Sequence, residues 1–576
     1  MSKGRHALSG PPIEVPILIA GGGSTGLSLA GELGWRRIPA LMVEPSIEVN
    51  PHPRANAVAN RTMEYLRRWG IAESLIGAGV PADYPAAYFW VSSLHGREIH
   101  RLVLPGAAEL ERIRSQGAAD PRHELHWSPY LKTIVGQHEV ESLLRRFVGQ
   151  QSTIEARYGW ALEDFEEHPD RVVATIRNHA THERRHVHSR WLVGCDGGRS
   201  LVRERLGIGL QGRGSLASFV SIFFDAPKFM ECHRFGPANI YFPLHRDHRG
   251  FLLNWNTGTT FTYHLILSPG TDWQSIDPVT AIRSVLGCDT SLTIRSVQPW
   301  TAHALTASRY ASAGGRVFLA GDAAHLFTPT GGLGMNTGVS DAIDLAWKLG
   351  AQFQGWGGTH LLDSYDIERR PIGRRNTAEA ADNFDRLFAV MQSGDELDAD
   401  TPEGEALRHS LQEDLRSQEK LLKSSGVLLG YRYEGSPICV PDGTPAPHDD
   451  PRIYTPTARP GHRAPHAWLS DGRSLLDALG PWFSLLCFDG LNDTTRAIEE
   501  AAHLRGVPLR VVQVSDSAIR ELYGNRAHVL VRPDMMVAWR DDRTSDPLAL
   551  IDRVSGRGAH HNRVASAARG VRISQV

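Results

Sequence analysis

Several features are scarce in this chain of 576 residues, and each excludes a class of protein. Only five cysteines are present, widely scattered and without a CxxC pair. This pattern predicts neither a disulfide framework nor a dithiol redox site, and it favours a reducing, cytoplasmic location. No apolar run reaches about 18 residues, so we expect no membrane span.

The chain also lacks an excess of either charge. Lys plus Arg is 62 and Asp plus Glu is 64, for a formal net charge of -2. We therefore expect no nucleic-acid partner and no electrostatic membrane binding. Residues Met1–Pro12 lack the apolar segment of a secretory signal. The densest histidine group lies in a charged stretch, residues 178–190, which predicts a solvated hairpin and no metal site.

The N-terminal part predicts a strand, a glycine turn, a helix and a second strand, the start of a doubly wound sheet. The apolar run Ile13–Ala20 precedes Gly21-Gly22-Gly23-Ser24-Thr25-Gly26 and a helical pattern. Because proline cannot donate to a sheet ladder, we expect Pro16 at the beginning of the first strand. The first glycine suits the tight turn, the third the approach of a pyrophosphate, and the last close packing of helix on strand.

The helix after this turn offers unpaired N–H groups and partial positive charge to phosphates. Glu44 closes the second strand, where its carboxylate can accept from both hydroxyls of a ribose. A carboxylate repels a 2′-phosphate, so the site suits FAD or NAD rather than NADP. The fingerprint alone does not separate FAD from NAD.

A second constellation separates them. Val317–His325 reads as a strand that runs into a turn with Asp322 at its tip, and the glycine-rich stretch Pro329–Gly338 follows. Here the chain resembles the FAD-dependent aromatic hydroxylases, the fold family of p-hydroxybenzoate hydroxylase and phenol hydroxylase. The resemblance implies that Asp322 hydrogen-bonds the ribityl chain of FAD. It also implies that the glycine-rich stretch lies along the flavin, with backbone N–H groups that stabilise negative charge.

Further motifs extend this resemblance over residues 13–371. They are the Gly-Cys-Asp-Gly-Gly motif around Asp196, the segment that begins at Pro53-Arg54, and the pair Gly136-Gln137. Together the fingerprint and the resemblance assign these residues to the cofactor: Gly21, Gly23, Ser24, Thr25, Gly26, Glu44, Arg54, Gln137, Asp196, Asp322, Gly332, Gly334, Met335 and Asn336.

The fold class that follows is α/β. We expect a Rossmann-type FAD-binding domain over residues 1–400, interleaved with an antiparallel substrate sheet inserted at about 86–115 and 212–300. Residues 401–465 read as a linker or irregular segment, and the polar, acidic stretch up to about residue 419 is consistent with either an exposed helix or a linker. Residues 466–576 are identified as a thioredoxin-like α/β domain, by their similarity to the tail of phenol hydroxylase. Cys487 stands alone there, so we expect no dithiol chemistry.

The resemblance implies an FAD-dependent monooxygenase that hydroxylates a phenolic or other electron-rich aromatic substrate through a flavin C4a-hydroperoxide. NAD(P)H would be a transient co-substrate that docks across the FAD domain, since the sequence holds one dinucleotide fingerprint. The expected partners are a small aromatic molecule and O₂, and a homodimer is left open.

Four residues are candidates for the substrate pocket. A phenol reacts more readily as its phenolate, so a hydrogen-bond acceptor near the hydroxyl should help. In relatives, the position that matches Asn56 points toward substrate, although asparagine is a poor base. Asp225 and Tyr241 lie in the predicted substrate sheet and are equally well read as ordinary sheet residues. Pro329 is expected to place its backbone carbonyl near the substrate.

Alternative functions remain open at this point. A Baeyer–Villiger-type oxygenase or a reductase acting on an aromatic polyketide would share these motifs, as would a non-catalytic FAD-containing ligand-binding protein. A flavin halogenase is disfavoured because its Trp-x-Trp-x-Ile-Pro motif is missing: Trp255 is followed by Asn256-Thr257-Gly258.

Overall fold

The structure, a computed structural model, describes residues 10–116, 123–245, 247–391, 395–418 and 424–558. The expectation about an N-terminal leader therefore falls mostly outside the described residues, as does the end of the last predicted domain, residues 559–576. No helix within the described ranges is long and apolar enough to cross a membrane.

Seven strands form the first sheet: β1 (Ile13–Ala20), β2 (Ala40–Glu44), β7 (Ile154–Tyr158), β8 (Trp160–Glu167), β9 (Val172–Asn178), β10 (Arg184–Gly194) and β16 (Val317–Leu319). Their order is β7-β2-β1-β10-β9-β8, and β16 pairs with β10. The central strands are parallel, whereas β8, β9 and β10 are joined antiparallel. The end of β1 and most of β2 are buried, which accounts for their continuous apolar runs.

Helices flank this sheet: α1 (Ser24–Trp35), α2 (Asn60–Arg68), α3 (Ala72–Ala78), α5 (Gln137–Gly149), α6 (Leu201–Arg205), α8 (Leu333–Phe353) and α9 (Asp363–Met391). The first of them packs against both α5 and α8. Almost every residue of α1 is buried, as expected for a helix that is apolar around its circumference. The predicted Rossmann-type unit is thus present.

The second sheet has eight strands, here in spatial order: β17 (His325–Leu326), β15 (Thr293–Ala307), β11 (Leu210–Asp225), β14 (Thr260–Leu267), β13 (Gly250–Asn254), β12 (Ile240–Pro243), β4 (Ala86–Val91) and β5 (Glu98–Leu104). Neighbours are antiparallel except β12 and β4, which are parallel. Helices α4 (Ala107–Gln116) and α7 (Pro278–Leu286) belong to this part of the chain. A short ribbon of β3 (Ala57–Val58) and β6 (Thr133–Ile134) lies apart from both sheets.

The C-terminal unit contains β18 (Phe483–Cys487), β19 (Leu509–Gln513), β20 (His528–Val531) and β21 (Val537–Asp541), with α12 (Leu475–Ala478), α13 (Asp493–Leu504), α14 (Ser517–Leu522) and α15 (Pro547–Val554). The sheet order is β19-β18-β20-β21, with β18 and β19 parallel and the other pairs antiparallel. This is the strand arrangement of a thioredoxin-like domain, as predicted. Cys487 is buried at the end of β18, and its thiol lies 3.6 Å from Thr495 Oγ1.

Buried ion pairs attach the C-terminal unit to the first domain. Arg463 forms a fully buried pair with Glu64 of α2. Arg532 pairs with Glu368 of α9 at 2.6 Å and with Asp344 of α8 at 3.1 Å. Charges buried this deeply require their partners, so the two units form one continuous structure.

Three expectations from the sequence are corrected. Pro16 lies inside β1 rather than at its beginning: β1 pairs with β10 at residues 13–15 and 17–20, and the ladder skips only the proline, which has no N–H to donate. The cysteines do form a disulfide, between Cys232 and Cys288. The part of residues 401–465 that was left open as an exposed helix or linker forms α10 (Pro402–Gln418), which is not fully exposed but packs Leu411 and Leu415 into the core beneath the second sheet, and α11 (Ser425–Leu428) follows.

Candidate active site

The turn after β1 needs glycine at two positions. Gly21 has φ +106°, and a Cβ there would lie 2.3 Å from the carbonyl oxygen of Cys195. A Cβ on Gly26 would lie 1.9 Å from the carbonyl oxygen of Gly21. Above Gly23, by contrast, the nearest atom is Glu141 Oε1 at 3.8 Å. Space for an approaching phosphate therefore remains at Gly23.

Glu141 is a site residue that the sequence analysis missed. Its Oε1 accepts hydrogen bonds from Ser24 N at 3.1 Å, Ser24 Oγ at 2.9 Å and Gln137 Nε2 at 2.8 Å. Gln137 and Glu141 are one turn apart on α5 and thus share a face. The four-residue spacing of Gln137 and Glu141 in a predicted helix was the sequence signal that could have identified Glu141. The pair fixes the N-terminus of α1 from the side.

Glu44 lies where the sequence placed it, at the end of β2. Its Oε2 accepts from the backbone N–H of Gly22 at 2.6 Å, and its Oε1 accepts from Ser46 N at 2.9 Å. The carboxylate is thus held against the glycine turn.

A cavity of about 590 Å³ adjoins this turn, and residues of the second sheet, of the ribbon and of the turns that follow strands of the first sheet line it. Its nucleotide end is lined by Gly23, Ser24, Thr25, Arg54, Gln137, Glu141, Asp322 and the stretch Pro329–Met335. Segments far apart in sequence, near residues 23 and 332, therefore meet in one space.

Asp322 follows β16 in a tight turn that depends on glycine. Gly321 has φ +63°, and a Cβ there would lie 2.3 Å from Thr25 Oγ1. The Asp322 side chain is exposed and opens into the cavity. Burial raises the pKa of this carboxyl, and the nearby charges of His325 and Arg54 oppose that shift.

The glycine loop before α8 presents a second helix N-terminus to the cavity. Gly331 and Gly332 have φ of +87° and +65°, a conformation that favours glycine. No side chain caps α8, and Gly334 and Met335 of its first turn line the cavity. Its N–H groups are thus available to a ligand.

Asn336 does not face the cavity, contrary to its assignment as a cofactor contact. Its Oδ1 accepts from Ala59 N at 2.9 Å and Thr62 Oγ1 at 2.7 Å. Its Nδ2 donates to the carbonyls of Ala57 at 3.0 Å and Gly332 at 2.7 Å. All its hydrogen-bonding capacity is used within the protein, so it clamps the loop.

Asp196 is also set back from the cavity, although its neighbours Cys195 and Gly197 line it. Its Oδ2 accepts from Val202 N at 3.1 Å, while Oδ1 is buried without a hydrogen-bond partner among the described residues. Burial raises the pKa of this carboxyl.

The other end of the cavity is aromatic. Tyr88, Trp90, Phe242, Phe251, Leu253 and Trp300 line it. Trp90 stacks on Phe242 with ring centroids 5.0 Å apart, and flat apolar walls of this kind suit a planar ring. Asn56 and Pro329 also line the cavity, so both stay candidates for contact with a substrate.

Asp225 and Tyr241 do not line the cavity, contrary to their candidacy. Tyr241 lies on the opposite face of β12 from Ile240 and Phe242, because successive side chains alternate. Its hydroxyl donates to the Gly236 carbonyl at 2.6 Å. Asp225 is paired with Arg295 at 2.7 Å at the end of β11.

Two buried histidines that the sequence analysis did not single out line the cavity. His52 lies between the hydroxyls of Ser221 and Ser296, each at 2.7 Å, and burial lowers its pKa to about 4. His264 accepts from Trp300 Nε1 at 3.2 Å, and burial lowers its pKa to about 3. Both are therefore neutral near pH 7.

These features fit FAD. Two helix N-termini open onto one cavity, α8 without a side-chain cap and α1 with Glu141 bound to Ser24 N, and they suit the pyrophosphate and the negative charge of a reduced flavin. The open space at Gly23 leaves room for a phosphate, and the carboxyl of Asp322 can accept a hydrogen bond from a hydroxyl group. A dinucleotide requires both kinds of contact. No group of three or more His, Cys, Asp or Glu residues in the described ranges could hold a metal ion.

Comparisons with known proteins agree with this geometry. The family model for the FAD binding domain matches residues 14–380, and that for the aromatic-ring hydroxylase C-terminal domain matches residues 457–557. The FAD-dependent monooxygenase apdD of Emericella nidulans is 32% identical, over 95% of this chain and 91% of the relative. The 4-methyl-5-nitrocatechol 5-monooxygenase of Burkholderia sp is 32% identical, over 94% of this chain and 97% of the relative.

Among solved structures, the flavin-dependent monooxygenase PieE in complex with FAD and substrate is 31% identical, with a TM-score of 0.84 over 95% of this chain and 100% of that chain. The resemblance and the cofactor inferred from the motifs are thus confirmed. The chain therefore belongs to the FAD-dependent aromatic-ring hydroxylases, and it is a flavoprotein monooxygenase.

Proposed function

We propose that this monooxygenase uses NAD(P)H and O₂ to hydroxylate a phenolic or similarly electron-rich aromatic compound. The observation that carries the proposal is the shared cavity. One end presents the N-termini of α1 and α8, and the other is walled by aromatic side chains. A flavin held at the first end would have its ring next to a planar substrate at the second.

The cofactor roles follow from the geometry. The turn at Gly23 and the N-terminus of α1 beside it would bind the pyrophosphate, Asp322 the ribityl chain, and Gly334 and Met335 the edge of the flavin ring. When bound, FAD supplies the redox chemistry: it accepts hydride from NAD(P)H and activates O₂, so that one oxygen atom enters the ring and the other leaves as water.

Arg54 is the proposed contact for the incoming nicotinamide nucleotide. Its side chain is exposed and lines the cavity, close enough to Asp322 to influence the pKa of that carboxyl. A guanidinium suits both phosphate and carboxylate groups. The sequence holds no second dinucleotide fingerprint, which supports transient docking at this position.

The substrate end is arranged to exclude water. Trp90, Phe242 and Phe251 form its walls, and His52 and His264 stay neutral there. Such surroundings protect an activated oxygen species from water. The Pro329 carbonyl and the Asn56 amide supply polar atoms that can orient a ring hydroxyl. The catechol in the name of the Burkholderia relative supports a phenolic substrate.

The test uses the purified protein loaded with FAD. A panel of phenols with one to several rings is screened for stimulation of NADH and NADPH oxidation, and products are analysed by mass spectrometry and NMR. We expect a gain of one oxygen atom as a ring hydroxyl. A ring-expanded ester would indicate Baeyer–Villiger chemistry. Ligand binding without any stimulated oxidation would indicate a binding protein and contradict the proposal.

Asp322→Ala is the matched variant for this assay. Its small side chain leaves the turn intact but removes the proposed ribityl contact. We expect it to fold, as judged by circular dichroism, and to lose FAD. Unchanged FAD content would contradict the role proposed for Asp322.

A further inference from the structure

Lys132 is a cavity residue that no role proposed above uses. It lies just before β6, and it lines the cavity together with Ile134, two residues along the chain. Residues two apart in extended chain share a face, so both side chains of the ribbon are turned to the same space.

The ammonium group of Lys132 has no partner. It forms no hydrogen bond or ion pair with any described residue, and burial alone lowers its pKa, with no carboxylate close enough to oppose that shift. The fully buried Arg and Lys residues in the described part of the chain, by contrast, are paired. Lys348, for example, donates to Asp344 at 2.7 Å and to Glu368 at 2.6 Å.

The carboxylates of the cavity are engaged elsewhere. Among the described lining residues only Glu141 and Asp322 are acidic. Glu141 is bound to Ser24 and Gln137, and Asp322 interacts with Arg54. The aromatic end of the cavity contains no acidic residue. A half-buried ammonium that lines a cavity without a counter-charge is unfavourable, and an anionic ligand would relieve that cost.

The phosphates and the flavin ring of FAD would have their own partners at the N-termini of α1 and α8. This leaves the aromatic ligand as the source of the missing charge. We propose that Lys132 pairs with an anionic oxygen of the substrate, a carboxylate or a phenolate, and so selects ionised aromatic substrates over neutral ones. The inference rests on the proposed function and specifies its substrate class.

Equilibrium binding to the FAD-loaded protein tests this without turnover. Two matched pairs of probes are titrated while flavin absorbance is recorded. The carboxylate pair is 3-hydroxy-2-naphthoate and its methyl ester. The phenolate pair is 4-nitrocatechol, ionised under mildly alkaline conditions, and its dimethyl ether. We expect the wild-type protein to prefer the anion of at least one pair, and the pair that shows the preference identifies the group.

The variant Lys132→Met should weaken binding of the preferred anion by about tenfold to a hundredfold, as for other charged hydrogen bonds. Affinities for the neutral probe and for FAD should stay unchanged. Lys132→Arg should retain the preference. Lys228→Met, at an exposed lysine of the second sheet's domain, is the control and should behave as wild type.

Three results would overturn the inference. They are a wild-type protein that prefers neither anion, an equal loss for both members of a pair in Lys132→Met, and a loss of FAD affinity in that variant, which would assign Lys132 to the cofactor. If Lys132→Met does not fold, the wild-type preference and Lys132→Arg decide the question. Failure of the proposed function would be distinguishable from failure of this inference, because the wild-type protein itself would then bind no FAD or show no turnover.

Discussion

Asn336 donates a hydrogen bond from Nδ2 to the backbone carbonyl of Ala57 over 3.0 Å, and it thereby ties the ribbon β3–β6 to the first turn of α8. The same amide also binds Ala59, Thr62 and Gly332. Because the ribbon and the glycine loop both line the cavity, this side chain fixes their separation.

Replacement of Asn336 should therefore affect both stability and cofactor binding. In Asn336→Ala the backbone N–H of Ala59 and the carbonyl of Ala57 lose their bonds to this side chain, and such groups cost about 1–3 kcal/mol each when buried. We expect a lower free energy of unfolding in urea, and weaker FAD binding by the folded variant. Gln150→Ala, at an exposed side chain after α5, is the control. Unchanged stability in Asn336→Ala would show that the clamp is dispensable.

Two glycines of the first turn should respond differently to alanine. A Cβ on Gly26 would lie 1.9 Å from a backbone oxygen, so Gly26→Ala should unfold the turn. Gly23 has φ −75° and open space beside it. Gly23→Ala should therefore fold normally but bind FAD about tenfold or more weakly, as expected when charge-assisted hydrogen bonds are lost.

The measurement combines thermal unfolding of the apoprotein with FAD titration for each variant. Wild-type FAD affinity in Gly23→Ala would contradict the placement of a phosphate there. Wild-type stability in Gly26→Ala would contradict the packing of the turn.

The local sequence predicted the elements that carry their own signal. The apolar run of β1, the glycines of the first turn and Asp322 after β16 all lie as predicted, because backbone conformation and burial dictate those residue types directly. Three strands of the thioredoxin-like domain also lie as predicted, since its three short apolar runs match β18, β19 and β20.

Tertiary context decided the rest. Tyr241 was a pocket candidate, but successive side chains of β12 point to opposite faces, so Tyr241 points away from the cavity that Phe242 lines. A one-residue shift in strand register would exchange the two faces, and the local sequence does not fix that register. The partners of Asn336 lie some 270 positions away, beyond the reach of local pattern. Cys232 and Cys288 are 56 residues apart, and only the packing of the second sheet's domain brings them together.

The interface between the C-terminal unit and the first domain depends on Arg532. Its guanidinium binds Glu368, Asp344 and Asp534, all fully buried or nearly so. Removing one partner of a buried ion pair leaves uncompensated charge and costs about 3–5 kcal/mol. Arg532→Met should lower the melting temperature and expose the C-terminal unit to limited proteolysis.

Arg496 provides the comparison within the same unit. It pairs with Asp493 on α13, but both side chains are largely exposed. Exposed pairs contribute little, so Arg496→Met should melt as wild type. Equal effects of the two substitutions would mean that the buried network does not hold the interface.

Acid should destabilise the protein through its buried histidines. The folded-state pKa values of His52 and His264 are lowered to about 4 and about 3 from an unfolded value near 6.5, chiefly by burial. The unfolded chain therefore binds more protons below pH 6.5, and stability that is full above this pH falls as the pH drops toward 4. Each histidine contributes up to about 1.4 kcal/mol per pH unit in this window. The variant His264→Gln keeps an acceptor for Trp300, and its melting temperature should depend less on pH between 6.5 and 4 than that of the wild type. If the melting temperature falls equally steeply with pH in both proteins, His264 does not contribute to the acid sensitivity.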